Sequence, residues 1–175
     1  RVAAPGTLSM EITGTTDTTT AMSFANHSYW NLDGSDSWDD HTLTVHADSY
    51  LPGTPQCYPT GEIVAVDGTP MDFRKPRKIS RQTDTFDNNF CLADHRRPLL
   101  DALTLTGASG VSLTIATTEP GIQIYDSKDG ARPGRSTHEG LALEAQFWPD
   151  APNNRDFPSI ILTPDQSYTQ VTTWT

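Results

Sequence analysis

The sequence has few cysteines and no long hydrophobic run, and each shortage excludes a class of protein. Two cysteines, Cys57 and Cys91, can form at most one disulfide and cannot supply the four ligands of a structural zinc site. No apolar run approaches the ~20 residues of a membrane-spanning helix, and the N-terminus lacks the pattern of a signal peptide. We therefore expect no membrane association, two reduced thiols and a cytoplasmic location.

An excess of basic charge is also missing. Acidic residues outnumber basic residues by 22 to 12, which gives a formal charge of −10. Such a chain repels a polyphosphate backbone, so nucleic acid is not an expected partner. The acidic stretch 33–40 lacks the spacing of an EF-hand loop, and we predict no metal site there.

Several catalytic motifs are absent as well. The sequence has no Gly-x-Ser-x-Gly elbow, no P-loop, no Gly-x-Gly-x-x-Gly loop and no His-Glu-x-x-His pair. Hydrolase, kinase, dehydrogenase and zinc-protease functions therefore lose their main sequence support.

What the sequence does contain is abundant threonine and short alternating apolar runs between Gly, Pro and Asp. This composition favours strands. We predict a single all-β domain over residues 1–175, built as an antiparallel β-sandwich. The predicted strands are 7–14, 20–25, 41–47, 61–66, 102–106, 111–117, 121–125, 141–147, 159–162 and 168–174.

The predicted strand 141–147 carries a candidate functional carboxylate. Its leucines occupy alternate positions, so they share one face, while Glu144 lies on the other face between Ala142 and Gln146. A carboxylate in this setting suits the floor of a polar cleft. It equally suits an ordinary solvated sheet face, and the local pattern leaves both interpretations open.

Residues 26–32, Asn-His-Ser-Tyr-Trp-Asn-Leu, combine an imidazole, hydroxyls, amides and aromatic rings. Aromatic rings pack on the apolar faces of a pyranose while amides and hydroxyls bind its OH groups, so the mixture suits a sugar. On local grounds His27 is either catalytic or structural. In the same way, Asp87 either binds sugar hydroxyls or caps a turn.

Six segments together resemble the aldose 1-epimerase (galactose mutarotase) family, in the order the family has them. They are Asn-His-Ser-Tyr-Trp-Asn-Leu (26–32), Pro-Thr-Gly-Glu-Ile (59–63), Gly-Thr-Pro-Met-Asp-Phe-Arg (68–74), Phe-Asp-Asn-Asn-Phe (86–90), Pro-Gly-Ile-Gln-Ile-Tyr (120–125), and Leu-Glu-Ala-Gln (143–146) leading into Pro-Asp-Ala-Pro-Asn (149–153).

The resemblance implies a galactose mutarotase-like supersandwich with an open cleft, no metal or organic cofactor, and interconversion of the α and β anomers of hexoses. It makes His27 the general acid and Glu144 the general base. The residues that it assigns to substrate binding are Asn26, Ser28, Tyr29, Asp87 and Gln123.

The sequence departs from the family in length. Family members are about twice as long, and their preceding half supplies an Asn-Arg pair and a second His that also contact the sugar. Neither occurs before His27, and the chain begins at Arg1 without an initiator Met. We therefore expect an incomplete sandwich that corresponds to the C-terminal part of a longer fold. Unpaired sheet edges would then favour association with a missing N-terminal half or a second copy.

Two other functions stay open at this stage. One is a carbohydrate-binding module that lacks turnover. The other is a hexose-phosphate mutarotase, because a basic cluster interrupts the acidic chain and could bind phosphate. Pro76 places this cluster in a predicted loop, where its alternative role is to balance surface charge. Its members are Arg74, Lys75, Arg77, Lys78 and Arg81.

Overall fold

A computed structural model describes residues 1–3 and 6–175, and it confirms the antiparallel all-β prediction. One short 3-10 helix, Ala151–Asn153, interrupts the strands of this part of the chain. The strands are β1 Val2–Ala3, β2 Thr7–Gly14, β3 Thr20–Ala21, β4 Tyr29–Trp30, β5 Thr42–Val45, β6 Ser49–Leu51, β7 Val64–Ala65, β8 Arg77–Lys78, β9 Asp87–Cys91, β10 Leu100–Thr106, β11 Ser112–Thr117, β12 Gly121–Tyr125, β13 Leu141–Gln146, β14 Ile161–Leu162 and β15 Tyr168–Trp174.

The strands form two main sheets. A seven-stranded sheet has the order β1-β2-β15-β11-β10-β5-β8, and a six-stranded sheet has the order β4-β13-β12-β9-β6-β7. Strands β3 and β14 make a separate pair. All of these pairings are antiparallel, as the short alternating runs predict.

The core lies between the two main sheets. Alternate residues of each strand point inward, so one apolar set from each sheet meets its counterpart. The seven-stranded sheet contributes Leu43, Val45, Leu103, Leu105, Leu113, Ile115 and Trp174, and the six-stranded sheet contributes Phe90, Ile122, Ile124, Leu141 and Leu143. A second apolar cluster covers one end of the outer face of the six-stranded sheet, and it contains Leu51, Cys91, Trp148, Ala151 and Phe157.

Each predicted strand overlaps an observed one, but five observed strands were not predicted, namely β1, β4, β6, β8 and β9. β9 has a polar sequence, yet it lies inside the six-stranded sheet between β12 and β6. The prediction that the basic cluster lies in a loop was wrong for Arg77 and Lys78, which form β8 and pair with β5. Pro76 precedes this edge strand, where the missing N–H is not needed for the ladder.

Both cysteines are free thiols, with Cys57 exposed and Cys91 buried. Burial raises the pKa of the Cys91 thiol to about 12, so this thiol stays protonated and unreactive. Within the described ranges, no helix is long and apolar enough to cross a membrane.

Candidate active site

A row of polar side chains crosses the outer face of the six-stranded sheet. Glu144 on β13 pairs in register with Gln123 on β12, and Gln123 pairs with Asn89 on β9. Leu143 and Ala145, the neighbours of Glu144, are buried, and Leu143 belongs to the core between the sheets. The alternation predicted for this strand is therefore confirmed, and Glu144 points away from that core.

The adjacent row brings two aromatic rings and a second carboxylate to the same face. Its members, in spatial order, are Tyr29 on β4, Ala142 on β13, Tyr125 on β12 and Asp87 on β9. Because Ala142 is small, the rings of Tyr29 and Tyr125 meet above it, edge to face, with centroids 6.4 Å apart. The two rows are joined diagonally, since Gln123 Nε2 donates to Asp87 Oδ1 over 3.0 Å.

His27 reaches this face from the loop that precedes β4. Its Nε2 atom lies 3.4 Å from Glu144 Oε1. The His27 ring also packs against Tyr29, with centroids 5.1 Å apart. The His27 side chain is 53% exposed and that of Glu144 only 11%, so the imidazole is open to solvent whereas the carboxylate is mostly buried.

The surroundings of Glu144 make it a stronger base than an ordinary glutamate. Burial raises the pKa of its carboxyl, His27 opposes the rise, and the negative charge of Asp87 adds to it. A carboxyl whose pKa is raised toward neutrality can both accept a proton and return it. The pair thus combines two groups that can exchange protons with one small molecule.

A cleft of about 730 Å³ opens beside His27, a size typical of small-molecule sites. His27, Ser28 and Tyr29 contribute to its lining, together with parts of segments 31–36 and 127–140. Asn31 fastens these two segments, because its Nδ2 donates to Ser35 O and Glu139 O, each over 2.8 Å. This bracing role of Asn31 was not predicted from the sequence.

The structure brings most of the predicted site residues to one face. Tyr29, Asp87, Gln123 and Glu144 lie in the two rows just described, and His27 reaches them from the loop before β4. Ser28 lines the cleft.

Asn26 is placed differently from its neighbours. Its Oδ1 accepts a hydrogen bond from the backbone N–H of Ser28 over 3.1 Å, which closes the turn before β4. This contact indicates that Asn26 shapes the turn that carries His27.

Sequence reasoning missed Asn89 as a site residue. Asn89 is buried at the end of the Glu144–Gln123 row. Within the described part of the chain, neither Asn89 Oδ1 nor Gln123 Oε1 has a hydrogen-bond partner. Such orphaned acceptors are uncommon in protein interiors, and here both belong to the polar row that carries Glu144. The only sequence signal was the run of amides at 88–89, which could not be placed without β9.

The basic cluster lies outside this site, on an edge of the seven-stranded sheet, and four of its five basic side chains pair with carboxylates. Arg74 contacts Asp72 and Asp67, each over 2.7 Å, and this pairing lowers the pKa of Asp72 to about 2. Arg77 contacts Asp84, Lys78 contacts Asp40, and Arg81 contacts Asp39. The cluster therefore balances charge, and a phosphate-binding role is not favoured.

Within the described residues, no group of three or more His, Cys, Asp or Glu side chains is placed to hold a metal ion.

Comparison with known sequences was made for the whole chain. The family model described as "Aldose 1-epimerase" matches residues 1–175. The galactose mutarotase of Rattus norvegicus is 41% identical over 170 residues, which are 89% of this chain and 49% of that protein. The galactose mutarotase of Bos taurus is 39% identical over 170 residues, with the same coverage of both chains. The chain thus spans about half the length of the curated relatives it matches.

Comparison with solved structures gives the same picture. An aldose epimerase homologue from C. elegans superposes with a TM-score of 0.86 at 30% identity, and the match covers 97% of this chain and 55% of that one. The β-sandwich is therefore of the galactose mutarotase type, as the six sequence segments predict.

Proposed function

The chain belongs to the aldose 1-epimerase family, and we propose from this premise that it interconverts the α and β anomers of a hexose such as galactose or glucose. The observation that supports this proposal is the 3.4 Å contact between His27 Nε2 and Glu144 Oε1. This distance supports the assignment of the two groups as an acid and a base that act on one pyranose. The family resemblance supplies the hexose as the substrate class.

In the proposed reaction, ring opening needs two proton transfers. Glu144 accepts the proton of the anomeric hydroxyl, while protonated His27 donates a proton to the ring oxygen. The bond from C1 to the ring oxygen breaks, and C1 becomes the carbonyl carbon of the open-chain aldehyde. Burial raises the pKa of Glu144, and this supports its role as a stronger base than an ordinary glutamate.

Rotation about the C1–C2 bond then presents the other face of the carbonyl. On reclosure, His27 takes back the proton of the attacking hydroxyl and Glu144 returns a proton to the new anomeric oxygen. Both groups end as they began, and the sugar leaves with the opposite configuration at C1. No covalent intermediate is required.

The remaining polar groups of the face are suited to holding the sugar. We assign Asp87 and Gln123 to its hydroxyls, because the hydrogen bond between them fixes their orientation. The exposed Tyr29 ring offers an apolar surface for the C–H face of the pyranose.

The test is polarimetry of freshly dissolved α-galactose. We expect the chain to accelerate mutarotation and Glu144→Gln to lose roughly 10² to 10⁴ of that rate, as is usual for a general base. Glu11→Gln is a matched control, since Glu11 is exposed on β2 of the other sheet. The proposal is wrong if the chain gives no acceleration, or if Glu144→Gln and Glu11→Gln have the same rate.

Calorimetric titration with galactose identifies the alternative. Saturable binding without any acceleration would make the chain a carbohydrate-binding module rather than an enzyme.

We further propose that the chain works in the cytoplasm and associates with a second copy of itself. Two free cysteines support a reducing compartment. Among the described residues, the outermost strand β4 pairs with Leu141 and Ala142 alone, so the rest of β13 has an edge that could accept another strand. Light scattering coupled to gel filtration tests the association, and a monomer at every concentration would contradict it.

A further inference from the structure

The strand that carries Glu144 is held at its open edge by a side chain from the opposite sheet. β4 covers only the first two residues of β13, and Glu144 lies beyond them. The carbonyl oxygen of the next residue, Ala145, accepts a hydrogen bond from Gln170 Nε2 over 2.9 Å. Gln170 belongs to β15 of the seven-stranded sheet, so this bond crosses the sandwich.

Gln170 is itself fixed by a buried chain of polar groups. Its Oε1 accepts a hydrogen bond from the Tyr168 hydroxyl over 3.0 Å. The same hydroxyl lies 3.4 Å from Glu119 Oε2, and Glu119 Oε1 accepts a hydrogen bond from Arg96 Nε over 3.0 Å. Gln170 and Glu119 are fully buried, and Tyr168 is nearly so.

This arrangement restricts the side-chain amide of Gln170 to one orientation. Its oxygen is engaged by Tyr168 and its nitrogen by Ala145, so a flip of the amide would break both bonds. Arg96 stabilises the far end of the chain by lying over the Tyr168 ring, 4.1 Å from its centroid. The backbone beside Glu144 is therefore tied to a rigid support.

We propose that Gln170 is a positioning residue for Glu144, which acts by fixing the peptide that follows it. The proposal rests on the function proposed above. Gln170 does not touch the site face, because it lies between the sheets while Glu144 points outward. Its effect passes through the backbone, where a displacement of about 1 Å at a catalytic group can cost roughly 10²-fold in rate.

The test compares two substitutions on the inward face of β15. Gln170→Met keeps the length of the side chain but removes the hydrogen bond to Ala145. Thr172→Val is the matched control, because Thr172 is buried on the same strand and its hydroxyl bonds to Thr117 on β11 of its own sheet, over 3.0 Å. We expect Gln170→Met to lower kcat roughly 10- to 100-fold with KM for galactose little changed. Thr172→Val should keep kcat.

A second readout does not depend on turnover. The carboxyl ¹³C resonance of Glu144, assigned by its absence in Glu144→Gln, reports the titration of this group. In Gln170→Met we expect its midpoint to move toward the ordinary glutamate range, because a loosened β13 admits water. His27 and Asp87, the charged groups that act on Glu144, are the same in both variants. Thr172→Val should titrate like the unmodified chain.

The outcomes separate this proposal from the proposed function. If the unmodified chain does not accelerate mutarotation, the function fails while the titration still tests the positioning. If Gln170→Met matches Thr172→Val in the titration and in kcat, the positioning role is overturned and Gln170 is only a core residue. Should Gln170→Met not fold, Gln170→Asn replaces it, because the shortened amide no longer reaches Ala145 and the same losses are expected.

Discussion

Two buried glutamates of this protein face partners that can carry positive charge. Comparing them shows how a carboxylate suited to proton transfer differs from one that stabilises the fold. Burial raises the pKa of both Glu144 and Glu119. Glu144 meets His27 at 3.4 Å, and Glu119 meets Arg96 at 3.0 Å. An imidazole changes its charge near neutral pH, whereas a guanidinium is always protonated.

The two carboxylates also differ in how closed their surroundings are. Glu119 has no exposed surface, and Arg96 and Tyr168 engage its two oxygens. Glu144 has His27 as its ion-pair partner and keeps a small exposed fraction on the open face of the sheet. A substrate hydroxyl can therefore reach Glu144 and not Glu119. The surroundings of Glu144 suit proton transfer, and those of Glu119 suit a fixed hydrogen-bond network.

The largest effect is expected when the partner of Glu144 is made to resemble that of Glu119. His27→Arg keeps a cation beside the carboxylate but cannot donate a proton at neutral pH. We expect mutarotation to fall roughly 10²- to 10⁴-fold. Polarimetry measures the rate, and calorimetric titration with galactose checks that the site still binds sugar. A rate close to that of the unmodified chain would show that the charge of His27, not its proton, is what matters.

The next largest effect is expected from removing the cation beside Glu119. Arg96→Met leaves a buried carboxylate without its partner, a change that usually costs about 3 kcal/mol of stability. The pKa of Glu119, already raised by burial, rises further because Arg96 no longer opposes it. The protonated form is the better tolerated one, so the loss should be large at pH 8 and shrink as the pH falls toward 4.

Urea unfolding of Arg96→Met at both pH values measures this difference. Arg97→Met is the control, because the Arg97 guanidinium donates to the backbone carbonyls of Leu100 and Asp101. Its loss should depend far less on pH. Equal losses for Arg96→Met at pH 4 and pH 8 would contradict an ion-pair role for Glu119.

The sequence predicts the position of Glu144 on the outer face but not the buried network that supports it. Alternation along β13 places Glu144 opposite the buried leucines from local pattern alone, because a strand has a period of two. The inward position of Gln170 follows from the same period on β15, yet its function does not. Gln170 shares its face of β15 with Tyr168, Thr172 and Trp174, and the purpose of an amide there is visible only when the opposite sheet supplies Ala145 as its partner.

β9 shows a second limit of sequence reasoning. Its residues Asp-Asn-Asn-Phe-Cys have weak strand propensity, so Asp87 could equally be a turn residue. Pairing on both sides, with β12 and β6, makes the segment a strand and sets Asp87 diagonal to Gln123. Only the family resemblance gave Asp87 a role in advance, since local propensity contains no information about sheet neighbours.

The smallest expected effect concerns Glu144. Its substitution should increase the stability of the fold, whereas substitution of Arg96 should decrease it. The folded-state pKa of Glu144 is raised, so its stabilising contribution is present below the ordinary glutamate pKa and is lost as the pH rises through the folded value. Glu144→Gln mimics the protonated form and should stabilise the chain at pH 8 by about 1 kcal/mol. That gain corresponds to roughly 2–4 °C in Tm and should vanish near pH 4. Thermal unfolding followed by circular dichroism measures it. A carboxylate kept for proton transfer is one that the folded state tolerates poorly when charged. If Glu144→Gln were instead less stable than the unmodified chain at pH 8, Glu144 would stabilise the fold, as Glu119 does.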